Sequence, residues 1–472
     1  MSTFGALNTA YRGLTAAQQG MNVAGQNIAS AATDGYTRQR VQQSPLAAPA
    51  QGLWGTGAPQ VGQGVSVDAI ARLGSSFLDG GVRSAGAQAG YASVRSSALQ
   101  NIEGVLNEPG DNGVSAALQG FWSAWQGVAN QPGEAASSGL VIQAANTLTT
   151  RIATAYQALD GQWRDARGQA TDAVSAVNSA ASQVAAYNTT IRSTLAAGGS
   201  ANELIDARAK LTESIARLAG GTVREQADGT VDVHIGGNAL VMGSSVRTLA
   251  LTGAASMAGS AASPVQLEWA DRPGVAVGLD GGQLAGSLSV LAPAAGGSGG
   301  VIAEAAASYD RLATQLATDV NAVHSGGLTA AGAPAGNFFS IDATRPAALG
   351  ISSIQDPTLI GAAAAGFGAK DGHNADALAQ IGTRTTSPDA TWQSIVTGIG
   401  LQSRNAQQHE TMTAAVATSA ETSRASSASV SLDEENVSLL TNQHAYQAAA
   451  RVMTAVDEAL DVLINRTGLV GR

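Results

Sequence analysis

His234, His324, His373, His409 and His444 are the side chains of this sequence best suited to holding a metal or moving a proton near neutral pH. They are scattered. None falls in an H-x-H or H-E-x-x-H spacing, so no two are placed on one helix face as ligands. There is no G-x-S-x-G elbow and no phosphate-binding loop. Gly62-Gln63-Gly64 precedes the strand-like Val65-Ser66-Val67. It lacks the third glycine and the following helix of a dinucleotide loop, and reads as a backbone turn. Asp433, Glu434 and Glu435 could supply a carboxylate pair for glycoside hydrolysis. They follow Ser431 at the start of a strongly periodic stretch. A hydroxyl N-cap with a capping-box Glu434, at the positive end of a helix dipole, accounts for them without catalysis. Phe121, Trp122 and Trp125 could form a binding patch, but their helical spacing points to core. Without cysteine there is no disulfide and no thiolate chemistry. The sequence therefore predicts no catalytic residue, no cofactor, no metal site and no enzyme.

The acidic run opens an element of another kind. From residue 432 onward an apolar stripe recurs every seven residues. Leu432, Leu439, Tyr446, Met453 and Leu460 share one position; Asn442, Ala449, Val456 and Leu463 share the position three later. Such a heptad demands a partner helix. The other end of the chain offers one: Leu7, Leu14, Met21 and Ile28 share one position, and Phe4 and Tyr11 another. The two terminal helices are expected to pair as a coiled coil and to expose an assembly interface. Gly5, Gly13, Gly20 and Gly25 each cost about 1 kcal/mol in a helix interior. The pair is therefore expected to fluctuate in a single copy and to order on assembly.

Between the ends the pattern changes twice. Thr33-Asp34-Gly35 is turn chemistry closing the first helix near Ala32, and the chain up to Arg72 reads as extended with a short hairpin. Residues 77–221 are predicted helical, with helices ending near Leu106, over 114–128, over a long 139–195 and over 202–218. Residues 222–292 switch to period two and read as an antiparallel β insertion expected to decorate the surface and to tolerate deletion. Residues 293–430 return to helix, with an irregular or β segment at about 326–387 rich in proline. The expected fold is mainly α with a β insertion: an elongated multi-domain rod, residues 1–76 and 431–472 forming its terminal domain, a long-helix bundle as its body, and the β domain toward the opposite tip.

Net charge is −10, the pI is 5.0, and 13% of residues are charged. With Lys210 and Lys370 the sole lysines, no basic patch suits nucleic acid or an anionic membrane surface. No apolar run approaches the roughly 18 residues of a membrane span. No basic-then-apolar leader is visible, so no cleaved secretory signal is expected. Asn188-Thr189-Thr190 matches the glycosylation triplet inside a helical pattern and is taken as chance.

Asn27-Ile28-Ala29-Ser30-Ala31-Ala32-Thr33-Asp34-Gly35-Tyr36-Thr37-Arg38 resembles the N-terminal signature of the bacterial flagellar rod, hook and hook-associated axial family, N-I-A-N-x-x-T-x-G-Y-x-R. The matching residues are Asn27, Ile28, Ala29, Thr33, Gly35, Tyr36 and Arg38; Ser30 stands where the family has Asn. Val61-Gly62-Gln63-Gly64-Val65 is similar to the family's next element. The segments at residues 202–208, 319–324, 431–435, 444–452 and 465–472 look like the hook-associated members at the hook–filament junction. The resemblance implies a structural protein of the flagellum that assembles with copies of itself as a ring. It implies the hook protein and the next hook-associated junction protein as neighbours, a cytoplasmic export chaperone on the C-terminal region, and export through the flagellar type III apparatus. A hook or distal-rod protein is the alternative within the family. A rod-associated cell-wall hydrolase is the alternative outside the structural class, and it would rest on the acidic run alone.

Overall fold

The computed structural model describes residues 3–47, 62–462 and 464. What the sequence suggested for the part of the extended stretch over residues 48–61, for Leu463 and for residues 465–472 lies outside them. The chain opens with α1 (Thr3–Ser30) and the antiparallel hairpin β1 (Gln39–Pro45) and β2 (Val65–Arg72). The body follows with α2 (Ser76–Leu106), α3 (Val114–Asn130), α4 (Ala135–Ala196) and α5 (Asn202–Ala219). Two small antiparallel sheets come next. The first has β3 (Thr222–Glu225), β4 (Val231–Ile235), β5 (Asn238–Met242) and β6 (Ser245–Val246), in that order; the second has β7 (Leu249–Thr252), β8 (Gln266–Trp269) and β9 (Arg272–Ala276). Then come α6 (Gly282–Leu291) and α7 (Val301–His324), followed by the hairpin of β10 (Phe339–Ile341) and β11 (Ile351–Ser353) with α8 (Ala347–Gly350) between its strands. The chain ends with α9 (His373–Ala379), α10 (Pro388–Ala428) and α11 (Leu432–Asp461).

The 62-residue α4 is the spine, about 93 Å long at 1.5 Å per residue. Its stripe of Leu148, Ile152, Leu159, Trp163, Val177, Val184 and Ile191 is fully buried. One continuous core runs from Leu99 to Trp392 and takes in Phe121, Trp122 and Trp125, which settles those aromatics as packing residues. Trp122 Nε1 donates to Asp389 Oδ2 at 2.8 Å. Helix α10 runs antiparallel along α2, with Ser403 Oγ donating to Glu103 Oε2 at 2.7 Å near one end and Arg424 beside Asp79 near the other.

The β insertion differs from expectation in three ways. First, it ends in a helix, α6, because residues 282–291 bury Leu284, Val290 and Leu291 against the body. Second, it is no surface decoration. Val231, Val233, Ile235, Val241, Leu249, Leu267 and Trp269 belong to the common core, so removing the insertion would strip one face of α4. Asparagines on α4 dock its strands: Asn178 exchanges two hydrogen bonds with the backbone of Leu249, both 2.9 Å. Asn188 donates to Val231 O and Gly243 O and accepts from Val231 N and Arg208 Nη1. All four hydrogen-bonding positions of its carboxamide are filled. Third, the first sheet lies beside the C-terminal end of α4, on the side of the body that meets the 34–39 segment and β2. Arg208 on α5 donates to Gly229 O, while Asp206 on the same helix reaches the terminal elements.

Candidate functional site at the joined termini

Helices α1 and α11 pack antiparallel, and three contacts give the register. Asn27 bonds Glu435, Gly20 lies against Asn442, and Gly13 against Ala449. Each step back of seven in α1 is a step forward of seven in α11, the heptad geometry the α11 stripe predicts. On α11, Leu439, Tyr446, Ala449, Met453, Val456 and Leu460 are half-buried along this seam. Leu432 is not part of it: it is 51% exposed, and the buried Glu435 holds the first seam position.

On α1 the seam is not where the large side chains suggested. Phe4 and Tyr11 are 69% and 59% exposed, and Leu7, Leu14, Met21 and Ile28 are only half-buried. The buried residues are Ala10, Ala16, Ala17, Gly20, Val23, Ala24 and Asn27. Small residues spaced four and three apart let the two backbones approach closely. To within one position, the register sets Ala10, Ala17 and Ala24 level with the half-buried Met453, Tyr446 and Leu439 of α11. A Cβ on Gly20 would stand 2.4 Å from Asn442 Oδ1. Gly20 is therefore held to glycine by the packing, whereas a Cβ at Gly13 would meet Ala449 Cβ at 3.8 Å, an ordinary contact. Phe4 and Tyr11 face solvent, and Leu7, Leu14, Met21 and Ile28 form a half-buried ridge flanking the seam.

The pair is fastened by a clasp built on the signature residues. Asn27 is 1% exposed. Its Oδ1 accepts from Tyr36 Oη at 2.9 Å and Gln39 N at 3.0 Å; its Nδ2 donates to Gln39 O at 2.9 Å and Glu435 Oε2 at 3.0 Å. Every donor and acceptor of the carboxamide is used, a set that a carboxylate or an alkyl group cannot satisfy. Arg38 donates to Glu435 Oε1 at 2.7 Å and to Glu434 Oε2 at 2.5 Å. Burial opposes the charge on Arg38, but the bonds to Glu434 and Glu435 outweigh it and its pKa is raised. Burial, with Glu203, Asp206 and Glu435 nearby, pushes the Tyr36 phenol up to about 12, so it remains a donor to Asn27.

The acidic run thus has a structural role, different in part from the one expected. Ser431 Oγ accepts from Glu434 N as the N-cap. The Glu434 side chain turns to Arg38 instead of closing a capping box. Gly35 has φ 74°, the left-handed turn that sends Tyr36 back to Asn27. Thr33 shapes that turn by accepting from Tyr36 N through its backbone carbonyl. Ala29 and Ser30 lie off the clasp, and the Ser30 hydroxyl accepts only from Gln26, so the departure at Ser30 does not touch it.

The clasp is tied to the body by polar bonds. Asp206 accepts from Thr37 N at 2.9 Å and Arg72 Nε at 2.5 Å. Glu203 accepts from Gln39 Nε2, Asn202 Nδ2 donates to Gln39 Oε1 and Ile70 O, and Lys210 pairs with Asp34 at 3.0 Å. Among the described residues, none from α1, β1, β2 or α11 joins the continuous core. Sequence reasoning missed Glu203, Asp206 and Glu435 as members of this site. Only the resemblance of the 202–208 segment hinted at the first two. Among the described residues no three His, Asp or Glu side chains cluster as metal ligands, and no helix is long and apolar enough to cross a membrane.

The structure is a helical body joined by polar bonds to a clasped pair of terminal helices, and comparison with known proteins shows the class to which it belongs. The family model of the flagellar hook-associated protein FlgK helical domain matches residues 99–339, and that of the flagellar basal body rod FlgEFG protein C-terminal region matches residues 423–466. Flagellar hook-associated protein 1 of Bacillus subtilis is 30% identical over the whole of both chains. That of Escherichia coli is 27% identical over 75% of this chain and 63% of its own. The solved hook junction protein FlgK of Burkholderia pseudomallei superposes with a TM-score of 0.63 at 16% identity, over all of that chain and 74% of this one, which shows the shared fold. The chain belongs to the flagellar hook-associated protein 1 family, the structural proteins that form the junction between hook and filament in the bacterial flagellum.

Proposed function

We propose that copies of this chain assemble as a ring at the hook–filament junction, with the α1–α11 pair as the assembly element. The observation that carries this is the placement of the larger α1 side chains. Phe4 and Tyr11 are mostly exposed, and Leu7, Leu14, Met21 and Ile28 are only half-buried. Val437, Leu440 and Val452 on α11 are likewise exposed. A two-helix unit that keeps small residues inside and turns large apolar ones outward has further apolar surface to cover, and neighbouring copies supply it. The hook protein on one side and the next junction protein on the other complete the contacts. Before assembly the C-terminal stripe is held by a cytoplasmic export chaperone, and the chain leaves through the flagellar type III apparatus. It has no catalytic role, for Glu434 and Glu435, the one acidic cluster once considered for hydrolysis, are engaged by Arg38 and Asn27. Antibody labelling of isolated hook–basal bodies tests the placement. Label at the hook tip supports it, and label along the rod or hook shaft refutes it. A peptidoglycan-digestion assay with no release of fragments supports the structural reading; turnover would overturn it.

A further inference from the structure

A second buried polar centre lies in the body, away from the termini. His324, the last residue of α7, is completely buried. Its ring sits edge-on to Trp125 of α3, with centroids 5.9 Å apart, and to Phe338, at 5.4 Å. Both ring nitrogens are bonded to backbone, and the directions fix the tautomer. Gly361 N–H can only donate, so Nε2, 2.9 Å away, is the acceptor. Nδ1 then carries the proton and donates to Gly336 O at 2.7 Å. The ring thereby joins two points of residues 325–381, a lobe that is mostly irregular and rests on α3 and α7. The Gly361 carbonyl is held in turn by Asn374 Nδ2 at 2.6 Å, and Leu328 bridges Ala363.

We propose that His324 is a proton-operated pin, which closes the lobe of residues 325–381 against α3 and α7 when neutral and releases it when protonated. A proton added at Nε2 would point at the Gly361 N–H, with no acceptor in reach. Two donors would face each other inside an aromatic box. No charged side chain pairs with the ring from α7, α3, the 336–339 segment or the 360–363 segment. The charged groups around the lobe act elsewhere: Asp310 of α7 accepts from Ala348 N, Asp342 accepts from Thr344, and the exposed His373 at the start of α9 pairs with Asp371. Burial accordingly lowers the His324 pKa from its ordinary 6.5. The linkage has one sign: the open lobe takes up the proton more readily than the closed one. The closure is therefore fully present above pH 6.5 and is lost as the pH falls through the lowered value.

With five histidines in the chain, selective ¹⁵N-histidine labelling of the full-length protein can follow each ring while amide exchange is read by mass spectrometry. Over a titration from about pH 8 to about pH 4, His324 should show the Nδ1–H tautomer and stay neutral below the ordinary histidine value of 6.5. Its protonation should coincide with loss of amide protection at residues 325–341 and 354–364, while α4 stays protected. His324→Gln can donate to Gly336 O and accept from Gly361 N but cannot titrate, and should keep the lobe protected through that range. Titration of His324 at or above the ordinary 6.5 would overturn the proposal. So would a lobe that opens equally in the Gln variant, or one that remains protected after His324 has protonated. If the variant does not fold, the ring titration and lobe exchange of the wild-type chain decide alone.

Discussion

Asn27→Asp changes one atom type at the centre of the terminal clasp and should undo it. The variant loses both Nδ2 donations, leaving the buried Gln39 carbonyl without its partner; an orphaned buried acceptor costs about 1–3 kcal/mol. It also sets a second carboxylate where an amide stood 3.0 Å from the buried Glu435. Breaking a buried charged network of this kind costs about 3–5 kcal/mol. Taking the lower end of each gives about 4 kcal/mol, or roughly a thousandfold in the docking equilibrium. Hydrogen exchange on the full-length chain reads this directly. In the wild type, amides near the clasp, residues 20–27 and 435–442, should be protected, with protection fading toward the free ends of α1 and α11. In Asn27→Asp that protection should be gone, while α4 exchanges as before, because among the described residues none of α1, β1, β2 or α11 shares the body's core. Unchanged protection around residue 435 in the variant would refute the reasoning. Ser30→Asn, off the clasp, is the control and should leave exchange unaltered.

Gly20→Val should part the helix pair, since its Cβ meets Asn442 at 2.4 Å, and circular dichroism together with exchange should show loss of the pair with the body intact. Trp163→Ala removes a fully buried side chain of the spine and should cost about 3–5 kcal/mol, seen as a lowered midpoint of thermal or denaturant unfolding. Deleting residues 223–291 behind a Gly/Ser bridge should abolish cooperative unfolding, since the insertion supplies core; a deletion protein with native-like unfolding would contradict this. Leu460→Asp should leave α2 to α10 folded and prevent incorporation at the hook tip, checked by calorimetry and labelling of isolated hooks.

The body was legible because its signals are local. The limits of α2, α3, α5 and α7 follow from apolar periodicity and from breakers such as Pro109 and the glycine pair at 198 and 199. The α11 stripe was legible for the same reason. Two features were not. The α1 seam consists of alanine and glycine, whose role is to permit close approach, and hydrophobic periodicity weights large side chains instead; here those occupy the flanking or exposed positions. The clasp joins Asn27 to a carboxylate 408 residues away, and no spacing rule connects them. The signature marked Asn27, Tyr36 and Arg38 as a set, but only the folded chain shows why the set needs an amide, a phenol and a guanidinium. Residues 282–291 misled because a glycine-rich, weakly amphipathic decapeptide following strands reads as more of the same.

The central claim is that the outward apolar side chains of α1 join copies of the chain while the clasp holds each copy together. The most direct measurement is antibody labelling of isolated hook–basal bodies from cells producing Phe4→Ser combined with Tyr11→Ser, two mostly exposed positions of α1 away from the clasp. Exchange on the purified variant should match the wild type around residues 20–27 and 435–442, and label at hook tips should be absent. Normal label at the tips, with filaments attached, would contradict the account.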